Sequence, residues 1–504
     1  MPISRRAVLA AGAALPLLGG KARAARPPGT LRFGLSSYPP TFAPWANAGT
    51  AAANIQLLVF RGLLSYDTQG KLQGELAESW HKDGDAGWLF KLRKAVFHNG
   101  KPVTAADVKW TLEQVAGAHS TAYMREQMQT IARIDTPDPM TVRLVMKQPT
   151  VTVPIWLAGY YMPIVAAGSH PHSPMGCGPY VMKSHERGVS VELEAFGKFY
   201  RPGLPKLKTL RFVAYPDESL RVAALQSGDV DIIEYVPWQS MGAIAANPHL
   251  VLQTTNGPFM YLTFNGHAGP FTDARVRLAV AHGIHREQIV KAAFYGRGAA
   301  LAGTPIPPGT EYYDPKLANG WAYDTDRAKA LLKQAGKAGG FACTLLSTAQ
   351  YGMHKDTAEV VQQNLAALGI EAKLNLPEWA SRVALGNRGQ YEFGVMGTAT
   401  DSNDPDGLSS IIDGSLPPSY VRSYELAVPK LHALLAAGRA EFDAVKRKAI
   451  YERVQKLVLA EAPIVGLSWR SQGYAMAKDV HGFTNLPGAL TFYSGSTLAQ
   501  TSFA

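Results

Sequence analysis

A chain of 504 residues that is 46% apolar and 18% charged is too hydrophobic for a disordered protein and too long for one core, so two or three cores are expected. Its formal charge of +11 is not gathered into a basic face. Basic residues alternate with acids, as in Lys446, Arg447 and Lys448 beside Glu441, Asp443 and Glu452, which reads as a solvated helix face and argues against a nucleic-acid partner.

In chain order, Arg5 and Arg6 follow Ser4, an apolar stretch covers residues 10–18, and Ala22-Arg23-Ala24 closes the region. Charged, apolar and small-x-small regions in that order predict a secretory signal of the twin-arginine type over 1–24, with Ala25 the first mature residue. A membrane anchor would need about 20 apolar residues, roughly twice what is there. No cysteine follows until Cys177, so no residue is placed to carry an N-terminal lipid. The expectation is a free, monomeric periplasmic protein.

Alternation with a period of two is clearest at 189–196 (Val-Ser-Val-Glu-Leu-Glu-Ala-Phe) and recurs at 31–35, 88–92, 142–146, 210–215, 261–265, 370–376 and 393–396. Each reads as a half-buried strand. Helical spacing fills the gaps. Thr104, with Asp107 three residues on, can satisfy the free amides that start a helix carrying Val108, Leu112 and Val115. Asp273 similarly introduces Val276, Ala279 and Val280, and Tyr323-Asp324-Thr325-Asp326 opens a helix that Gly336 ends as a left-handed cap. A last long helix spans about 443–461, with Ile450, Val454 and Leu457 as its buried stripe, and stops at Ala462-Pro463. Strands and helices intermix over the whole length, which is the pattern of an α/β protein.

Five blocks then stand in order. They are 60–67 (Phe-Arg-Gly-Leu-Leu-Ser-Tyr-Asp) with 76–80 (Leu-Ala-Glu-Ser-Trp); 90–93 (Phe-Lys-Leu-Arg) with 97–108 (Phe-His-Asn-Gly-Lys-Pro-Val-Thr-Ala-Ala-Asp-Val); 176–180 (Gly-Cys-Gly-Pro-Tyr) with 224–231 (Ala-Leu-Gln-Ser-Gly-Asp-Val-Asp); 264–265 (Phe-Asn) with 270–279; and 400–406 (Thr-Asp-Ser-Asn-Asp-Pro-Asp). Together they resemble the peptide and nickel-type family (family 5) of ABC-transporter solute-binding proteins. The resemblance implies a two-lobed periplasmic binding protein fold with a hinge and an extra subdomain on the first lobe. Lobe I would take 25–55, 175–265 and 470–504, the extra subdomain 56–174 and lobe II 266–469. It also implies a small peptide or similar solute as ligand, an ABC permease and its ATPase at the inner membrane as partners, and no cofactor. Cys177 and Cys343 would fall in different lobes, so no disulfide is expected.

Two departures stand out. Ile284-His285-Arg286-Glu287 lacks the acid the family carries second in this motif, and Cys177 stands where the family has threonine in Gly-Thr-Gly-Pro. Cys177 and Gly178 are expected at the cleft.

The resemblance also nominates Asp401, at the end of a strand running through Thr398, as the carboxylate that holds a ligand's free amine, with Asn403 beside it. Asp404 and Asp406 read as turn formers around Pro405. Dipeptide-binding relatives carry an arginine within 345–356 for the ligand's carboxylate; here the stretch offers Gln350, Tyr351, His354 and Lys355, which puts strict dipeptide selectivity in doubt. Tyr38 and Trp379 border the cleft in the family and could form an aromatic wall, although core packing accounts for them equally well. His170-Pro171-His172 is the tightest histidine pair and reads as a surface loop rather than a metal site. A haem, metal-chelate or other small-solute binder of the same fold is the alternative. A secreted hydrolase is the competing class, but Gly-x-Ser-x-Gly, His-Glu-x-x-His, Cys-x-x-Cys and Walker patterns are missing, and Gly176-x-Gly178 and Gly296-x-Gly298 lack the third glycine of a dinucleotide loop.

Overall fold

An eleven-stranded sheet forms the spine of the computed structural model, which describes residues 26–169 and 173–504. The expected signal, and the pair His170 and His172, lie outside the described residues. The strand order runs Ile370–Asn375, Phe341–Leu346, Phe393–Thr398, Leu250–Phe264, Val465–Ala477, Ile232–Ile233, Thr30–Leu35, Thr209–Ala214, Ser190–Ala195 and Tyr180–Glu186, with Gly298–Ala300 paired to Val465–Ala477 off this path. Parallel pairs appear where helices make the crossover: Phe341–Leu346 pairs with Ile370–Asn375 across the Gly352–Ala366 helix.

The sheet has two halves. Leu31, Phe33, Leu193, Phe212 and Tyr474 fill the core of the first. Phe259, Leu262, Trp321, Leu345, Phe393 and Val465 belong to the core of the second. Leu250–Phe264 and Val465–Ala477, of 15 and 13 residues, pair along both halves. Their register shifts between Asn256 and Phe259 and again between Met260 and Tyr261, and irregularities of this kind bend and twist a ladder. A third core, with Phe90, Phe97, Val108, Leu112 and Leu144, lies under a separate four-stranded sheet ordered Ala77–Lys82, Gly87–Leu92, Thr141–Met146 and Ile131–Asp138 and packed on the Ala105–Ala116 helix.

Helix starts follow their capping residues. Thr104 and Asp107 make a reciprocal capping box, Asp273 accepts from the Arg275 N–H, Asp324 from Arg327 and Asp443 from Lys446. Gly336 has φ +71° beyond the Thr325–Gln334 helix, a conformation that costs glycine little. The Arg286–Phe294 helix has no side-chain cap at His285, and the Asn364 side chain of the neighbouring helix accepts the His285 N–H at 2.8 Å instead.

The last long helix, Ala444–Glu461, buries Val454 of its expected stripe but turns the rest of that face by about one residue. Arg447, Tyr451, Val454, Gln455 and Val458 are buried, while Ile450 and Leu457 are only half-buried. Arg447 shares this face with the apolar Tyr451, Val454 and Val458 and bonds both Asp404 oxygens at 2.8 Å and the Gly438 carbonyl at 2.9 Å. Lys446 and Lys448 remain solvated, so Arg447 is the exception to the expected charged face. Both thiols are free and buried, Cys177 in the four-stranded sheet's core and Cys343 in that of the second half. Among the described residues no helix is long and apolar enough to cross a membrane.

Candidate functional site

Phe393–Thr398 runs into a loop that carries Asp401 across to the four-stranded-sheet unit. There the Tyr123 hydroxyl donates to Asp401 Oδ1 at 2.8 Å, and the Tyr493 hydroxyl donates to the Asp401 backbone carbonyl at 3.2 Å. The rings interlock: Tyr123 to Tyr161 at 4.7 Å, Tyr161 to Tyr160 at 4.9 Å, Tyr160 to Tyr493 at 5.2 Å and Tyr493 to Tyr66 at 5.6 Å between centroids. Asn47 fixes the ring from outside by accepting from the Tyr160 hydroxyl at 2.5 Å.

No cation pairs with Asp401 among the described residues. Burial pushes its carboxyl up to about 6; the Tyr123 hydrogen bond works against that shift and Asp406 adds to it. Burial, together with the Asp401 charge, also pushes the phenols of Tyr123, Tyr160 and Tyr161 up, so they stay neutral donors. A carboxylate without a counter-charge, ringed by aromatic faces, favours one kind of guest: a cation small enough to enter.

The neighbouring acids are already paired. Asp404 accepts the Asp406 N–H at 2.9 Å and grips Arg447. Asp406 takes Arg439 at 3.1 Å, the Ser409 hydroxyl at 2.7 Å and the Tyr451 hydroxyl at 3.2 Å. They fix the turn, and Asp401 alone is left open.

Of the other nominated residues, Thr398 ends the strand opposite Phe259 and turns its hydroxyl to the Ala399 carbonyl at 3.2 Å. Asn403 accepts the Ala489 N–H at 2.9 Å and donates to the Pro487 carbonyl at 3.2 Å, tying the loop to the start of the Gly488–Gln500 segment. Trp379 lies on a second aromatic wall, with Tyr351 and His354 each at 5.6 Å and Tyr420 at 5.9 Å.

The structure does not bring Tyr38, Cys177 or Gly178 to Asp401. The Tyr38 hydroxyl meets His185 Nδ1 at 3.1 Å and its ring meets Phe42 at 6.1 Å, beside the outer strand of the first half. Cys177 is wholly buried, its thiol pushed up to about 12 by that burial. Gly178 packs so closely on the end of the Thr50–Val59 helix that a Cβ would lie 2.1 Å from the Leu58 carbonyl oxygen. The tyrosine ring was not singled out from the sequence; its members lie as far apart as 66 and 493, and only the adjacent pair Tyr160-Tyr161 gave a local sign. Among the described residues no group of three or more His, Cys, Asp or Glu side chains is placed to hold a metal ion.

The family description "bacterial extracellular solute-binding proteins, family 5, middle" matches residues 71–417. The chain belongs to this family. It is similar to the glutathione-binding protein GsiB of Escherichia coli O1:K1, 27% identical over 511 residues that cover 96% of this chain and 97% of GsiB. Among solved structures it is similar to the binding protein AgaA of A. tumefaciens R10 in complex with agropinic acid, at 39% identity and TM-score 0.88, covering 94% and 99% of the two chains. The periplasmic binding protein DppA of Helicobacter pylori, in complex with the peptide STSA, shares the fold at TM-score 0.83 and 20% identity, covering 94% and 98%. The architecture is therefore the two-lobed one of periplasmic binding proteins.

In this family 5 solute-binding protein segments distant in sequence meet around Asp401. Besides the Tyr123 to Asp401 bond, the Val151 N–H meets the Arg439 carbonyl at 2.8 Å, and Asn403 meets the segment at Ala489. Closure of a cleft removes a bound solute from water and strengthens each polar contact to it.

Proposed function

We propose that the protein is the periplasmic capture component of an ABC importer, working without turnover of its solute. It takes a small amine-bearing solute of the short-peptide class and delivers it to a permease and ATPase in the inner membrane. The observation that carries this reading is Asp401, a half-buried carboxylate with no cation partner among the described residues, held against a chain of packed tyrosines. Lobe I takes 25–55, 175–265 and 470–504, the extra subdomain 56–174 and lobe II 266–469, and the paired strands Leu250–Phe264 and Val465–Ala477 serve as the hinge.

The relatives support capture rather than chemistry. GsiB is named for glutathione and DppA was solved with a peptide. A second reading, an acid of the agropinic type, is favoured by the 39% identity to AgaA. Thermal melts with the peptides Met-Leu and STSA, glutathione and agropinic acid separate the two. A solute at 100 times its dissociation constant raises stability by about 2.7 kcal/mol. Peptides are expected to raise the melting temperature and their N-acetylated forms to fail; a shift with agropinic acid alone would favour the second reading, and bound haem or metal in purified protein the alternative.

Export is proposed to use the twin-arginine route. Replacing Arg5 and Arg6 by lysine should leave precursor in the cytoplasm, and normal processing of that variant would point to the general secretory route.

A further inference from the structure

The other arginines buried as deeply among the described residues each hold at least one oxygen partner, although one nitrogen stays without an acceptor on Arg61, Arg221, Arg286 and Arg382. Arg286 donates to the carbonyls of Leu301, Gly466, Ile284 and Trp321, and Arg277 to those of Phe271, Thr272, Glu461 and Ala462. Arg470 differs. It is 2% exposed, its Nε has no acceptor, and the one neighbour of its Nη1 is the Met353 sulfur at 2.8 Å. No carboxylate among the described residues pairs with it, and a thioether is a poor acceptor for a guanidinium.

The place matters as much as the vacancy in its hydrogen bonding. Arg470 follows Trp469, which faces Phe259 on the central pair of strands; Phe259 in turn faces Thr398, three residues before Asp401. Tyr235, which follows the short Ile232–Ile233 strand of the first half, sets its ring 5.8 Å from the Arg470 guanidinium and is held at φ +52°, a left-handed conformation that non-glycine residues seldom adopt without cause. Met353, from the Gly352–Ala366 helix of the second half, touches the other side. Arg470 therefore sits where the halves meet.

The charges that act on the neighbouring His354 are both positive. Burial, reinforced by Arg470 and Arg382, pushes the imidazole of His354 down to about 3, so it is neutral, and its Nδ1 is buried without a partner. Arg382 spends Nη1 and Nη2 on the Tyr420 and Val395 carbonyls and keeps Nε open. Tyr351 and Trp379 wall the group.

We propose that Arg470, with His354 beside it, is the carboxylate anchor of the captured solute. The fork of Nε and Nη matches a planar monoanion; a phosphate would need a second open fork, which Arg382 does not offer. Joined to the amine site at Asp401, on whose reading this assignment partly rests, it defines the solute class: an amino-acid derivative with an amine at one end and an acid at the other. The uncompensated guanidinium is tolerated because the solute completes it.

The test uses the mature protein and its Arg470→Met variant, with Arg470→Gln in parallel, melted alone and with glutathione, Met-Leu and agropinic acid, each beside its methyl ester. Without solute, the variants are expected to melt at or above the wild type, because they lose a buried charge and no hydrogen bond to oxygen. The acid that stabilises the wild type best should lose at least 100-fold in affinity for both variants, and its ester should bind all three proteins alike. Variants that melt several degrees lower without solute, or bind the acid as the wild type does, overturn the assignment, as does a wild type that treats every acid and its ester equally. Failure of the amine reading looks different: the Asp401 variant then binds normally while the Arg470 variants still lose the acid.

Discussion

Asp401→Asn is expected to abolish capture of free-amine solutes while leaving the empty protein as stable as before, or more so. The folded carboxyl is pushed up from the ordinary 3.8 to about 6. Between those values the folded state holds a proton that the unfolded chain has released, so stability falls as pH rises through the window. Above pH 6 the ionised carboxylate costs the folded protein about 2–3 kcal/mol, and asparagine removes that cost while keeping the shape and the contact with Tyr123. With solute present the balance reverses. An ammonium opposite asparagine loses its counter-charge, at no more than roughly 3–5 kcal/mol by analogy with broken buried pairs, or a loss of up to about a hundredfold to a thousandfold. In the wild type, affinity for an amine should fall about tenfold per unit below pH 6 as Asp401 takes up its proton. Titration calorimetry between pH 5 and 8 checks both effects. Normal binding by the variant, or equal binding of acetylated and free peptides, would return Asp401 to the same role as its turn-forming neighbours.

Much of the fold was legible because most strands bury one face. The alternation at 189–196 and 210–215 became the paired strands Ser190–Ala195 and Thr209–Ala214. Val465–Ala477 escaped notice for the opposite reason: twelve of its 13 residues are buried, so no polar face marks the period. Of the stripe expected on Ala444–Glu461, Val454 is buried, while the rest of the inward face is Tyr451 and Val458, shared with the Arg447 ion pair, instead of Ile450 and Leu457. Asp401 was nominated from its place after a strand and from the resemblance, and its role as amine anchor is the proposal tested above. The tyrosines that give it meaning were not, since they come from segments hundreds of residues apart. Arg470 was invisible for a related reason. A guanidinium in Ser468-Trp469-Arg470-Ser471 looks ordinary until its missing acceptors can be seen. Tyr38, Cys177 and Gly178 lie away from Asp401, because a resemblance locates a segment and not what its residues pack against.

Glu75→Gln is expected to loosen the four-stranded unit from the rest of the protein. Glu75 is 2% exposed and lies beside Arg61 at 3.5 Å and Arg201 at 2.5 Å, and it accepts from the Ser65 hydroxyl at 2.8 Å and from the Tyr200 hydroxyl. Burial alone would raise its pKa, but Arg61 and Arg201, helped by Tyr200 and Ser65, outweigh burial and hold it below the ordinary carboxylate range. Its contribution is therefore complete above the unfolded pKa of 4.5 and is lost as pH falls through the lower folded value. Glutamine fits the space but leaves two guanidiniums facing each other, Arg61 only 7% exposed, at a cost of roughly 3–5 kcal/mol. Tyr200 and Arg201 follow the Ser190–Ala195 strand of the main sheet, whereas Glu75 precedes Ala77–Lys82 of the small one. The charge cluster thus joins the two sheets, and its loss should split melting into two transitions, with the small unit first. Calorimetry at pH 7.5 reads this directly, and the gap between wild type and variant should narrow toward pH 3. A single transition within a degree of the wild type would mean that the apolar contacts between the units hold them together without Glu75, and that the two arginines relax toward solvent when it is gone.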